Sequence, residues 1–228
     1  DLARDMASLV RRALEEEHGS VLAFLPGEAE IRKCCAALEG LSGCTVAPLY
    51  GALSPAEQQR AIDPAPPGRR KVVLATTIAE TSLTIEGVRI VIDCGYKRAP
   101  RFNVRRGMSE LTTVRVSRAS AEQRRGRAGR LEPGVCYRLW TAPEDLGLAA
   151  FDEPEIAIAD LAPLALDLAA WGVNDPLTLA WLTQPPPANY AQGHALLKRL
   201  DALDAGGRIT TEGRAMAALP LHPRLAHM

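Results

Sequence analysis

The sequence predicts an α/β fold: a parallel sheet with helices on both faces, followed by a small, mainly helical domain. Three observations lead there. Short apolar runs, VLAFL (21–25), TVAPLY (45–50), KVVLAT (71–76) and RIVID (89–93), recur through the first part of the chain, and GVCYRLW (134–140) closes it. Runs of this kind mark strands buried on both faces. Helical segments alternate with them, the pattern of a parallel sheet. After Trp140 the strands give way to helical patterns broken by prolines.

Taken in order, residues 2–17 place Leu2, Met6, Leu9, Val10 and Leu14 on one helical stripe that Gly19 ends. EAEIRKCCAAL (28–38) reads as a helix, and Ser54-Pro55 opens another with proline in its first turn. Residues 97–116 suit a β-hairpin about Arg106-Gly107. Helices are expected over 161–172, 177–182 and 188–203, interrupted by Pro176 and the run Pro185–Pro187. Residues 206–219 offer a short strand or wing and then a further helix. The expected divisions are 1–148, 149–213 and 214–228. The chain starts at Asp1 and stops at RLAHM, and reads as a fragment.

Composition excludes several classes. With 47% apolar and 24% charged residues the chain is neither disordered nor fibrous. No apolar run reaches the roughly 18–20 residues of a membrane span, and no signal peptide is present. Five cysteines (34, 35, 44, 94 and 136) form no CxxC pair, so they read as reduced, mostly buried thiols of a cytoplasmic protein. The net charge is zero, yet Lys97–Arg130 carries eleven basic residues against Glu110 and Glu122. A local excess of that size suits a polyanionic partner, and equally a solvated charged surface.

Two stretches could carry chemistry. In open parallel sheets ligands bind beyond the carboxyl ends of strands, and ATTIAETSLT (75–84) sits at such an end. Hydroxyls and free N–H groups at Thr76 and Thr77 suit a phosphate; the same threonines also suit a plain helix cap. AEQRRGRAGR (121–130) crowds four arginines and two glycines into ten positions. Ser120 and Gln123 have capping-box spacing. If the stretch is helical throughout, Gln123, Arg127 and Arg130 lie within about 40° of one another. An amide that orients water beside two guanidinium forks is what phosphoryl transfer needs. The acidic group Asp152–Glu155 reads as a helix start in preference to a metal site.

These residues carry a resemblance. QRRGRAGR (123–130) resembles motif VI of superfamily-two helicases, and ATTIAETSLTIEGVRIVIDCG (75–95) resembles motif V of the DEAH-box branch. VLAFLPGEAEI (21–31) is similar to motif IV. Beyond residue 150 the sequence is similar to a winged-helix segment and then to the entry of a ratchet domain. FLPGEAEI, RLEPGVCYRLW and the proline run resemble the bacterial HrpB-like branch. The resemblance implies a RecA-like second lobe of an ATP-dependent RNA helicase. It implies arginine fingers at Arg127 and Arg130, a water-positioning Gln123, and a γ-phosphate sensor at Ser82. Glu86 would lie near the ribose and Ile62 against the base, where many relatives have phenylalanine. Gly27, Thr76, Thr77 and Thr84 would touch the backbone of single-stranded RNA, with Thr77 standing where asparagine is frequent. The hairpin would help part the strands. The sequence has no GxxxxGK[ST] loop and no DEAH tetrapeptide. The resemblance therefore places the ligands of ATP-bound Mg²⁺ on a first RecA-like lobe, as partner, and implies no turnover by this chain alone.

Overall fold

The computed structural model describes residues 1–80, 84–103, 106–129 and 132–228. By its contacts the chain divides into one unit of Asp1–Ala99 with Thr113–Asp152 and another of Pro100–Thr112 with Glu153–Met228.

In the first unit the chain runs through α1 (Leu2–Glu16), β1 (Ser20–Phe24), α2 (Glu28–Ala37), β2 (Cys44–Leu49), α3 (Pro55–Ile62), β3 (Arg70–Ala75) and β4 (Val88–Asp93). A hairpin follows, β5 (Tyr96–Asn103) and β6 (Met108–Arg115), whose outer part belongs to the second unit. Then come α4 (Arg118–Arg125), β7 (Val135–Arg138) and α5 (Ala142–Leu146). Five strands pair in the order β2-β3-β1-β4-β7, every pair parallel. The apolar runs explain this. Val21, Ala23 and Leu25 pack with Met6, Val10 and Ile31 on one face. Leu22, Phe24, Val73 and Val91 pack with Ala61 and Ala128 on the other. A strand buried on both faces has no polar side to spare, which is why the runs read as continuous.

Caps fix the helix ends near the site. Ser54 and Glu57 form a reciprocal capping box that starts α3. The nearly buried Lys71 donates to the carbonyls of Arg60, Ala61 and Asp63, closing the other end of α3 where Ile62 sits. Burial lowers the Lys71 pKa, and Asp63 opposes the shift.

Gly134 is required by close approach. A Cβ there would come within 1.7 Å of the Ala128 carbonyl oxygen and 2.7 Å of that of Arg89. Gly134→Ala is expected to cost about 2–4 kcal/mol, because backbone on both sides must shift. Chemical denaturation measures it; a loss below about 0.5 kcal/mol, the scale of a surface change, would show that this turn moves freely.

The second unit contains α6 (Glu155–Ile158), α7 (Ala162–Ala170), α8 (Pro187–Arg199), α9 (Thr211–Ala217) and α10 (Pro223–Ala226). Leu166, Leu197, Leu203 and Met216 share its core. Leu203 and Ile209 form an antiparallel bridge, a short wing ahead of α9. Residues 177–182 differ from expectation: only Pro176–Thr178 makes a helical turn, of the 3-10 type, and Leu179 is extended. Trp181 instead donates its indole N–H to the Pro176 carbonyl at 2.7 Å, closing a loop between the prolines. Glu155 lies in the first turn of α6, the helix start expected of the acidic group. Among the described residues no helix is long and apolar enough to cross a membrane, and no three His, Cys, Asp or Glu group to hold a metal ion.

Candidate nucleotide and nucleic-acid site

The stretch after β3 leaves the sheet at its carboxyl edge. Thr76 caps a single 3-10 turn, Thr77–Ala79, but its hydroxyl makes no cap hydrogen bond. Thr76 N–H donates to the Leu49 carbonyl at 3.1 Å and Glu80 N–H to that of Thr77 at 3.0 Å, so the turn is fastened to β2 and to itself. Thr84 and Glu86 are exposed. Glu86 precedes β4, so by strand direction it lies at the opposite edge of the sheet from Thr76. Gly27 caps α2 just beyond β1. A Cβ on it would meet the Arg98 Nε at 2.8 Å and the Glu30 Oε2 at 3.2 Å, so those two side chains occupy the space where its own would stand. Ser82 and Arg130 lie outside the described residues.

The basic stretch folds differently from the spacing assumed for it. Helix α4 starts at Ser117, whose hydroxyl accepts from Ser120 N–H; the expected Ser120–Gln123 box does not form. It ends at Arg125, with Gly126 as its cap. Beyond that point Arg127 and Ala128 N–H groups bond three residues back, to Arg124 and Arg125. The tighter turn means that helical spacing does not relate Gln123 to Arg127. Gln123 is exposed on the helix. Arg127 is only 9% exposed and its Nη2 donates to the Glu80 carbonyl. The threonine turn and the arginine turn are thereby joined. Ala61, Ala79 and Ala128 lie in one core cluster, which brings the end of α3 and its half-buried Ile62 to the same face.

Arg124 holds this junction, and sequence reasoning passed over it. It is fully buried. Its Nε donates to Glu80 Oε1 at 2.7 Å and its Nη1 to Asp93 Oδ1 at 2.6 Å, while its guanidinium carbon lies 4.9 Å from the Phe24 ring centroid. Ser120 Oγ donates to the same Glu80 oxygen at 3.1 Å. Burial lowers the Arg124 pKa, but Asp93 and Glu80 outweigh it and the net shift is upward. A signal was available: Asp93 ends an otherwise apolar run, and an uncompensated carboxylate there demands a buried cation.

The local basic excess is largely paired. Lys97 bonds Asp152, Arg101 bonds Glu153, and Arg125 bonds Glu122; Arg98, Arg106 and Arg115 face Glu30, Glu110 and Glu144. The exposed pairs among these are worth at most about 1 kcal/mol each, whereas the Lys97 side chain is only 13% exposed. Burial opposes ionisation of Glu122, yet Arg138 and Arg125 hold its pKa below the usual carboxylate range.

Beyond the carboxyl end of β3 the arginine turn is thus fastened to the threonine turn through Glu80. The chain belongs to the family of the helicase conserved C-terminal domain, whose pattern matches residues 4–132. Residues 195–221 match the helicase associated domain (HA2), winged-helix. The chain is 51% identical over 217 residues to the ATP-dependent RNA helicase HrpB of Escherichia coli, covering 94% of this chain and 27% of that protein. It is 39% identical over 222 residues to the probable ATP-dependent RNA helicase DHX34 of Homo sapiens, covering 96% and 19%. A crystal structure of the E. coli DEAH/RHA helicase HrpB superposes with a TM-score of 0.94 at 47% identity, covering all of this chain and 29% of that one. The first unit thus has the RecA-like fold, and the chain spans about a quarter of the length of these relatives.

Proposed function

We propose that the chain is the second RecA-like lobe and adjoining winged-helix region of an ATP-dependent RNA helicase of the DEAH type, acting in the cytoplasm. The observation that carries this is the hydrogen bond from Arg127 to the Glu80 carbonyl, which joins the arginine turn to the threonine turn. In this reading ATP lies between this lobe and a first RecA-like lobe. Gln123 orients the attacking water; Arg127 and Arg130 neutralise charge building on the γ-phosphate; Ser82 senses that phosphate. Glu86 approaches the ribose and Ile62 packs on the base. Gly27, Thr76, Thr77 and Thr84 hold the backbone of single-stranded RNA, and the hairpin parts paired strands. The donors here suit phosphoryl oxygens, not a cation, so Mg²⁺ falls to the first lobe. Alternate closing and opening of the lobes on ATP would shift that grip along the RNA.

The expected result is RNA-stimulated ATP hydrolysis by the full-length protein and none by this chain alone. Turnover by the isolated chain, lost on Arg127→Ala, would overturn the division of labour. An alternative is a nucleic-acid module that no longer turns over, favoured by the near-complete burial of Arg127; absence of ATPase activity in the full-length protein would select it. Because an aliphatic Ile62 supplies contact but no hydrogen-bond readout, kcat/KM for ATP, GTP, CTP and UTP should agree within about tenfold. Strict preference for ATP would refute the Ile62 assignment.

A further inference from the structure

Glu80 makes two kinds of contact at once. Its side chain, only 10% exposed, accepts from Arg124 and Ser120 of α4. Its main-chain carbonyl accepts from Arg127, beyond the end of that helix. Its own N–H is bonded to Thr77, so it moves with the threonine turn. Asp93 differs: it shares Arg124, but it stands at the end of β4 and its Oδ1 also accepts from Gly95 N–H at 2.9 Å, anchoring the arginine to the sheet.

We propose that Glu80 is a positioning residue that transmits the state of the threonine turn to Arg127, its carboxylate setting the height of α4 while its carbonyl holds the guanidinium. This rests on the functional reading above, in which the turn meets RNA and Arg127 meets the γ-phosphate. The two halves of the contact belong to one residue. A shift of the turn on binding a phosphate backbone therefore displaces the carbonyl that holds Arg127 and the carboxylate that holds α4 together. Displacements of about 1 Å at a reacting centre change rates by up to roughly a hundredfold, so a small movement suffices. Arg124 keeps the charge of Glu80 compensated throughout, because its fork reaches Asp93 as well.

The test compares Glu80→Gln with Asp93→Asn in the full-length protein, measuring ATPase rates with and without polyuridylate, the KM for ATP, the Kd for polyuridylate and the melting temperature. Glu80→Gln is isosteric but weakens the grip on Arg124. It should reduce the ratio of stimulated to unstimulated kcat by about tenfold, with KM and Kd within about threefold of wild type. Asp93→Asn should lower the melting temperature and keep the stimulation ratio. Should Glu80→Gln fail to fold, Glu80→Asp keeps the charge but draws the carboxylate back from Arg124, and the same tenfold loss of the ratio is expected of it. A ratio within about twofold of wild type for the Glu80 variant, or an equal loss in Asp93→Asn, would show that the carboxylates are merely structural and overturn the proposal. A wild-type protein whose ATPase ignores polyuridylate would instead overturn the functional reading, and with it the proposal.

Discussion

Arg127→Ala in the full-length protein should lower the kcat of RNA-stimulated ATP hydrolysis by roughly a thousandfold, the lower end of what an arginine finger supplies. The size follows from where charge develops. In the transition state, negative charge spreads over the equatorial oxygens of the transferring phosphoryl group, and a guanidinium fork meets two of them with aligned N–H groups. In this structure the fork is held by the Glu80 carbonyl. If Arg127 acts on phosphate as proposed, giving up that main-chain hydrogen bond costs a net of about 0.5–1.5 kcal/mol, which a charge-assisted contact exceeds. Removing the side chain also leaves that carbonyl without this donor, so some loss of stability, about 1–3 kcal/mol, accompanies the kinetic effect. The two are separable. Arg127→Lys keeps the charge near the carbonyl and loses the second N–H group, so it should recover stability more fully than kcat. A kcat for Arg127→Ala within about threefold of wild type, with RNA affinity intact, would remove Arg127 from the mechanism.

What the sequence disclosed depended on whether a feature is local. The five strands were legible because VLAFL, KVVLAT and RIVID need burial on two faces, and only a covered parallel sheet provides that. The Ser54-Pro55 helix start was legible because a cap is written in four consecutive residues. The end of α4 was not. Gly126 can sit inside a helix at a cost of about 1 kcal/mol or terminate it, and tertiary contacts of Arg124 and Arg127 decide. The failed helix over 177–182 has the same origin, since Pro176 and the Trp181 indole compete with the apolar periodicity. Arg124 was hidden for a different reason. Among four arginines of one stretch, nothing in the spacing says which one faces inward; the answer lies in Glu80 and Asp93, 44 and 31 positions away.

Arg124→Ala should destabilise the first unit by about 3–5 kcal/mol, the cost of leaving buried charge uncompensated. Two carboxylates depend on this one guanidinium. Asp93 is fully buried and its Oδ2 has no hydrogen-bond partner among the described residues, so its carboxyl relies on the guanidinium that meets Oδ1. With Arg124 gone, Asp93 and Glu80 lose the cation that they share, and polar groups are left in the core without that partner. The missing side chain also vacates its place over Phe24. A triple replacement, Arg124→Met with Glu80→Gln and Asp93→Asn, removes all three charges at similar volume and should recover most of the loss at neutral pH. Urea midpoints of wild type, Arg124→Ala and the triple replacement at neutral pH decide whether lost charge compensation or lost packing is the cause. A single variant within about 0.5 kcal/mol of wild type would show that Arg124 compensates nothing.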